Sequence, residues 1–233
     1  MRIDAHQHFW RVARGDYHWM ATGEALAPLR RDFLPADFDT YRRRFGIDRT
    51  VLVQAAATVA ETDFMLALAE ETPLIAKVVG WIDFEQANAR ADLERLARHP
   101  KFAGVRPMIQ DLPDVDWMHR ADVQWAFEAI VDLDLTFDGL GLPAHLDDFL
   151  RLFERYPSMR AVVDHGMKPA IRDRAFEPWA RKLETIARST AVCCKLSGLV
   201  TEAGAEWTPP AIAPYVRHIV DCFGADRVMW GSD

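Results

Sequence analysis

The 233-residue chain has no uninterrupted apolar stretch of the roughly 18 residues that a transmembrane helix needs. After Met1 it runs directly into Ile3-Asp4-Ala5-His6, with neither the basic nor the apolar segment of a secretory leader. A membrane-spanning or secreted protein is therefore not expected, and a cytoplasmic one is. Cysteine is scarce: three residues, two of them the adjacent Cys193 and Cys194, make no disulfide framework and no CxxC or zinc-ribbon spacing. Side chains alternate across a strand, so at most one of that pair faces an interior, and both read as inert reduced thiols. No run of five like charges occurs and the net charge is −7, which excludes nucleic acid and anionic membranes as expected partners. There is no internal repeat and no Pro/Gly/Ser-rich linker, so residues 1–233 read as a single domain.

What the chain does contain is material for a large core, since half of its residues are hydrophobic. Short β-like runs alternate with helix-length amphipathic stretches, the order expected of βαβ units around a parallel sheet. Eight runs read as strands, over residues 2–8, 50–54, 75–81, 102–107, 135–138, 161–165, 192–197 and 227–233. Most are apolar on both faces, as strands covered on both sides should be. Apolar residues three and four apart predict helices over 62–71, 87–99, 123–132, 146–156, 175–188 and 210–223. Pro73, Pro100, Pro157 and Gly224 stand where those helices should stop. The count fits an α/β fold of the (β/α)8 TIM-type barrel better than the alternative, a doubly wound open sheet. Residues 11–37 lack periodicity but hold Tyr17, His18 and Trp19, and read as a long loop over the barrel mouth.

Three of the strand ends stand out for their ionisable side chains. Asp4-Ala5-His6-Gln7-His8 closes the first strand, and the two-residue period points His6 and His8 to one face. At the C-terminal mouth of a barrel that pair can share one metal ion; on a polar loop it only hydrogen-bonds. His165 ends the apolar run from Ala161, where a histidine standing alone is more often structural than catalytic. Asp233 ends the last strand, and alone would be a cap or a solvated terminus. Together these ends supply His-x-His, His and Asp, groups that bind divalent metals or move protons, and the convergence favours an active site.

At this point the chain resembles the amidohydrolase superfamily, in its amidohydrolase-2-like branch of sugar lactonases of the L-fuconolactonase and L-rhamnonolactonase kind. The residues that carry the resemblance are Asp4-Ala5-His6-Gln7-His8-Phe9-Trp10, Gly80-Trp81-Ile82-Asp83, Gly104-Val105-Arg106, Asp164-His165 with Lys168-Pro169, Lys195-Leu196-Ser197-Gly198-Leu199, and Trp230-Gly231-Ser232-Asp233. The resemblance implies a distorted (β/α)8 barrel that hydrolyses a lactone ring, with His6, His8, His165 and Asp233 at the centre of its site. In such a site Asp233 takes a proton from water, and the leaving ring oxygen is protonated by Asp233 or His165. The carbonyl oxygen needs a positive partner, either one divalent ion such as Zn2+ on His6, His8 and Asp233, or donors such as Arg106 in a metal-independent enzyme. A binuclear centre is not expected, because Gly104-Val105-Arg106 and Leu135-Thr136-Phe137-Asp138 offer neither the bridging lysine nor the further histidine of binuclear relatives. His145 follows its strand and is left out of the site. The resemblance also implies more chain after Asp233, a loop and a last helix.

Arg106 has a planar donor fork suited to carbonyl or carboxylate oxygens, against the reading of a surface salt bridge. Trp81 is either an apolar wall against a sugar ring or a core residue. Lys195 and Ser197 share one face of the seventh strand and offer donors to sugar hydroxyls. The partner expected is a small sugar lactone, and nothing in the sequence sets the oligomeric state. Two other readings compete: a zinc-dependent decarboxylase of an aromatic or unsaturated acid on the same barrel, and a non-catalytic binding barrel. Gln7 between the histidines, Phe9-Trp10 after them and Lys168-Pro169 after His165 favour the lactonase.

Overall fold

The computed structural model describes residues 1–21, 23–86 and 88–233. The strands follow chain order from β1 to β8 in one eight-stranded sheet, the order of the expected distorted (β/α)8 barrel. All eight strand runs expected from the sequence form strands, with ends moved by one to a few residues. The chain comprises two compact units, Met1–Arg106 and Pro107–Asp233.

In the first unit the elements are β1 (Ile3–Gln7), α1 (Pro35–Phe45), β2 (Arg49–Val53), α2 (Val59–Glu71), β3 (Ile75–Gly80), α3 (Ala89–Ala97) and β4 (Phe102–Val105). The four strands pair in parallel. Leu52, Val53, Met65, Ile75, Val78, Leu93 and Leu96 are buried and form its core. Gly80 is needed for close packing, because a Cβ there would lie 2.3 Å from Thr62 Cγ2 of α2. The Thr62 hydroxyl occupies that space, accepting from the Trp81 N–H at 2.9 Å and donating to the Trp81 carbonyl at 3.1 Å.

Residues 11–37 hold three short 3-10 turns, Val12–Arg14, His18–Met20 and Glu24–Leu29, and 35–37 are the first turn of α1. Thr22 of that segment, and Ala87 at the start of the helix expected over 87–99, lie outside the described residues. No apolar stripe in the sequence announced α1, because none of its residues is buried. Its start is set locally instead, by Pro35 in the first turn and by the Leu34 N–H, which donates to Asp37 Oδ2 at 2.9 Å.

In the second unit the elements are α4 (Gln124–Asp132), β5 (Thr136–Gly139), α5 (Leu146–Arg155), β6 (Arg160–Val163), α6 (Trp179–Ser189), β7 (Cys193–Leu196), α7 (Leu199–Ala203), α8 (Pro209–Phe223) and β8 (Val228–Trp230). β5 to β8 pair in parallel. Phe127 from α4, Phe137 from β5 and Phe149 from α5 are fully buried, with successive ring centroids 5.5 and 6.2 Å apart. α5 shows why its period was readable: Leu146, Phe149, Leu152 and Phe153 face inward on one stripe. α7 is five residues long with only Leu199 buried, too short to give a period. Among the described residues no helix is long and apolar enough to cross a membrane.

Candidate active site

The first unit gathers His6, His8 and Arg106. His8 Nδ1 lies 2.7 Å from the Val53 carbonyl, so Nδ1 carries the proton of a neutral His8 ring and Nε2 keeps its lone pair. That lone pair is 3.2 Å from His6 Nε2. Two imidazole nitrogens so placed share a proton or a cation, and a tetrahedral ion with bonds of about 2.0–2.1 Å would space two ligands by about 3.3 Å. The pair therefore fits a divalent ion. Arg106 Nη1 lies 3.3 Å from the same His6 nitrogen and brings positive charge to it without a metal. The guanidinium is held at a buried position: Nη2 donates to the Gln54 carbonyl, and the Gln54 side-chain amide donates back to the Arg106 carbonyl at 2.8 Å.

Glu61 lies behind this cluster, in the first turn of α2, and is fully buried. Its carboxylate accepts the Ala55 N–H at 3.0 Å and the Ala56 N–H at 2.6 Å. Burial pushes its pKa up to about 7, against the pull of those two N–H groups. Tyr17, buried in the cluster of Trp10, Met20, Ala55 and Ala56, has its hydroxyl pKa raised by burial and then by the charge of Glu61. The Trp19 indole N–H donates to the Ala55 carbonyl at 2.8 Å.

The second unit gathers His165, Asp233 and Ser197. His165 follows β6 in a run of four left-handed residues, His165, Gly166, Met167 and Lys168, with φ between +48 and +61°. Three of these carry side chains, a conformation that L residues adopt at a cost of about 1–2 kcal/mol each. His165 Nδ1 lies 2.9 Å from Ser197 Oγ, while Nε2 is 3.8 Å from Asp233 Oδ1. Gly198 makes room for both: at φ +63°, a Cβ on it would sit 2.6 Å from His165 Nδ1 and 2.8 Å from Asp233 Oδ2.

Lys195 is buried between two acids. Its ammonium contacts Asp138 Oδ2 and lies 3.1 Å from Asp164 Oδ1, both carboxylates being buried too. Burial alone would lower the Lys195 pKa, but the two carboxylates outweigh it and hold the ammonium above its usual value. Two of the three ammonium donors of Lys195 thus face protein carboxylates. Trp81 directly follows β3 and is half-buried. His145, left out of the site, caps a turn by accepting the Leu142 N–H at 3.1 Å. Cys194 is fully buried, its thiol pKa raised by that burial, and all three cysteines are free.

Of the residues read from the sequence, the structure gathers His6, His8 and Arg106 in one unit and His165, Ser197 and Asp233 in the other. Gln54 and Glu61 have no place in that reading, and Asp138 and Gly198 enter it only as members of longer runs. Asp138 had a signal, an acid closing an apolar strand as Asp233 does. Glu61 had one as well, because Thr58-Val59-Ala60-Glu61 is a capping-box pattern; Thr58 does cap α2, but the Glu61 carboxylate reaches the β2 turn instead.

A family model described as amidohydrolase matches residues 3–233. The chain is 44% identical over 232 residues to an L-fucono-1,5-lactonase of Burkholderia ambifaria, spanning all of this chain and 79% of the relative. It is 36% identical over 248 residues to an L-fucono-1,5-lactonase of Burkholderia multivorans, spanning all of this chain and 81% of that protein. Among solved structures, an amidohydrolase of Burkholderia multivorans with bound zinc superposes with a TM-score of 0.91 at 34% identity, covering all of this chain and 84% of that one.

Proposed function

Because the chain belongs to the amidohydrolase family, we propose that it hydrolyses the ring ester of a sugar lactone such as L-fuconolactone, releasing the sugar acid. The observation that carries this reading is the 44% identity to an L-fucono-1,5-lactonase along the whole chain. Residues 1–233 act as a single catalytic domain, with 11–37 over the mouth, and His6, His8, Arg106, His165 and Asp233 are the residues we assign to the reaction. Arg106 binds the lactone carbonyl oxygen, where a fixed guanidinium meets the negative charge that grows as the carbonyl is attacked. Trp81 gives the sugar ring an apolar wall. Asp233 takes a proton from water as the water oxygen attacks the carbonyl carbon. The ring C–O bond then breaks, and the leaving oxygen receives its proton from Asp233 or from His165, whose ring is oriented by Ser197. One divalent ion, with Zn2+ as the candidate, would be held by His6 and His8 with Asp233, and would add Lewis-acid polarisation of the carbonyl. The three free thiols suit a cytoplasmic enzyme.

Acid release from a panel of aldonolactones, followed with a pH indicator, tests this reading. Turnover of the L-fucono form is expected, falling with chelator and returning with added Zn2+. Asp233→Asn should stay folded and lose nearly all activity. Activity that survives the chelator would leave carbonyl polarisation to Arg106, and carbon dioxide release from an aromatic acid without lactone turnover would move the chain to a decarboxylase.

A further inference from the structure

Three successive carbonyls at the end of β2 each accept a hydrogen bond from a side chain elsewhere in the unit. Val53 accepts from His8 Nδ1, Gln54 from Arg106 Nη2, and Ala55 from Trp19 Nε1. On the opposite side of the same backbone, the N–H groups of Ala55 and Ala56 both point to Glu61. The Gln54–Ala55 peptide unit therefore has Arg106 on its oxygen and Glu61 on its hydrogen. The next unit has Trp19 on its oxygen and Glu61 on its hydrogen. Hydrogen bonds in series through one peptide polarise one another, more strongly when both ends are charged and water is excluded. Glu61 is fully buried and Arg106 is 4% exposed.

From this arrangement we infer that Glu61 is a positioning residue for Arg106: its carboxylate fixes the 54–56 turn and forms with the guanidinium an ion pair bridged by the Gln54–Ala55 peptide. Glu61 touches no substrate. It acts by holding the Gln54 carbonyl where Arg106 is kept 3.3 Å from His6 Nε2, and it steadies Trp19 of the 11–37 segment through the next peptide. Three contacts assist it: Thr58 Oγ accepts the Glu61 N–H at 3.0 Å, donates to Asp16 Oδ2 at 3.0 Å, and Asp16 pairs with Arg14 at 2.5 Å. The functional part of this inference rests on the lactonase reading, in which Arg106 binds the substrate carbonyl.

The test is a double-mutant cycle of Glu61→Gln and Arg106→Met, assayed at pH 8 on the aldonolactone that the wild type turns over. Glu61→Gln keeps the shape but replaces one acceptor oxygen with an NH2 group that faces donors. Expected is a fall in kcat/KM of about tenfold, carried mainly by kcat because Arg106 meets charge that grows in the transition state, and no further fall when Arg106→Met is already present. Effects that simply multiply would overturn the bridge, and so would an unchanged kcat in Glu61→Gln. Glu61→Asp, which keeps the charge, should recover part of the loss; it also replaces Glu61→Gln in the cycle if that variant does not fold. A wild type that turns over no lactone overturns the functional reading instead, and the bridge is then decided by the same cycle read in Tm, where non-additivity supports it and additivity removes it.

Discussion

At Gly198 two requirements meet in one residue: a backbone at φ +63° and a space that His165 and Asp233 close from either side. Alanine there takes on the left-handed strain, about 1 kcal/mol, and pushes one or both side chains away. Gly198→Ala should therefore stay folded by circular dichroism yet lose at least about tenfold in kcat, because shifts well under 1 Å between reacting groups are costly. Unchanged kcat would mean that neither side chain needs its present place. Glu61 makes a second prediction at this scale, on stability. Its pKa of about 7 in the folded chain lies above the roughly 4.3 of an unfolded glutamate, so the native state binds more protons between those values. The stabilisation is fully present below about pH 4 and is lost as pH rises through 7. Its size is roughly 4 kcal/mol, from about 1.4 kcal/mol per pKa unit. The difference in unfolding free energy between wild type and Glu61→Gln, measured by urea titration at pH 5 and pH 8, should shrink or reverse at the higher pH. A difference independent of pH would show that Glu61 titrates elsewhere.

The strands were legible because a strand covered on both faces is written as a nearly unbroken apolar run, and each such run ends where polar residues begin. Helices were legible in proportion to what they bury. α5, with its inward row of leucines and phenylalanines, could be read directly, whereas α1 has no buried residue and is set by local signals, Pro35 and Asp37 at its start and Gly46 at its stop. Lys195 joins β7 to Asp138 at the end of β5 and to Asp164 just after β6. Its sequence position offers a donor to substrate, and the two acids that pair with it come from other strands, which nothing local announces. Lys195→Met leaves both carboxylates buried without their cation, which costs about 3–5 kcal/mol. Adding Asp138→Asn should recover part of that loss in Tm. A Lys195→Met variant as stable as the wild type would show that the trio carries no weight in holding the strand ends together.

For the molecule as a whole, the (β/α)8 fold and the family followed from residues spaced along almost the entire chain, from Asp4 to Asp233. The strand-end residues were readable because side-chain direction alternates along a strand, so His6 and His8 declare a common face. Gln54 and Glu61 were not, because they work through main-chain groups, and a peptide N–H or carbonyl has no letter of its own in a sequence. Transplanting this site takes more than its side chains. Copying histidines, arginine and aspartate into another scaffold would carry over the functional groups but leave behind the stretch of backbone on which Arg106 hangs. The portable module is a peptide segment, 53–61, together with the side chains that grip it.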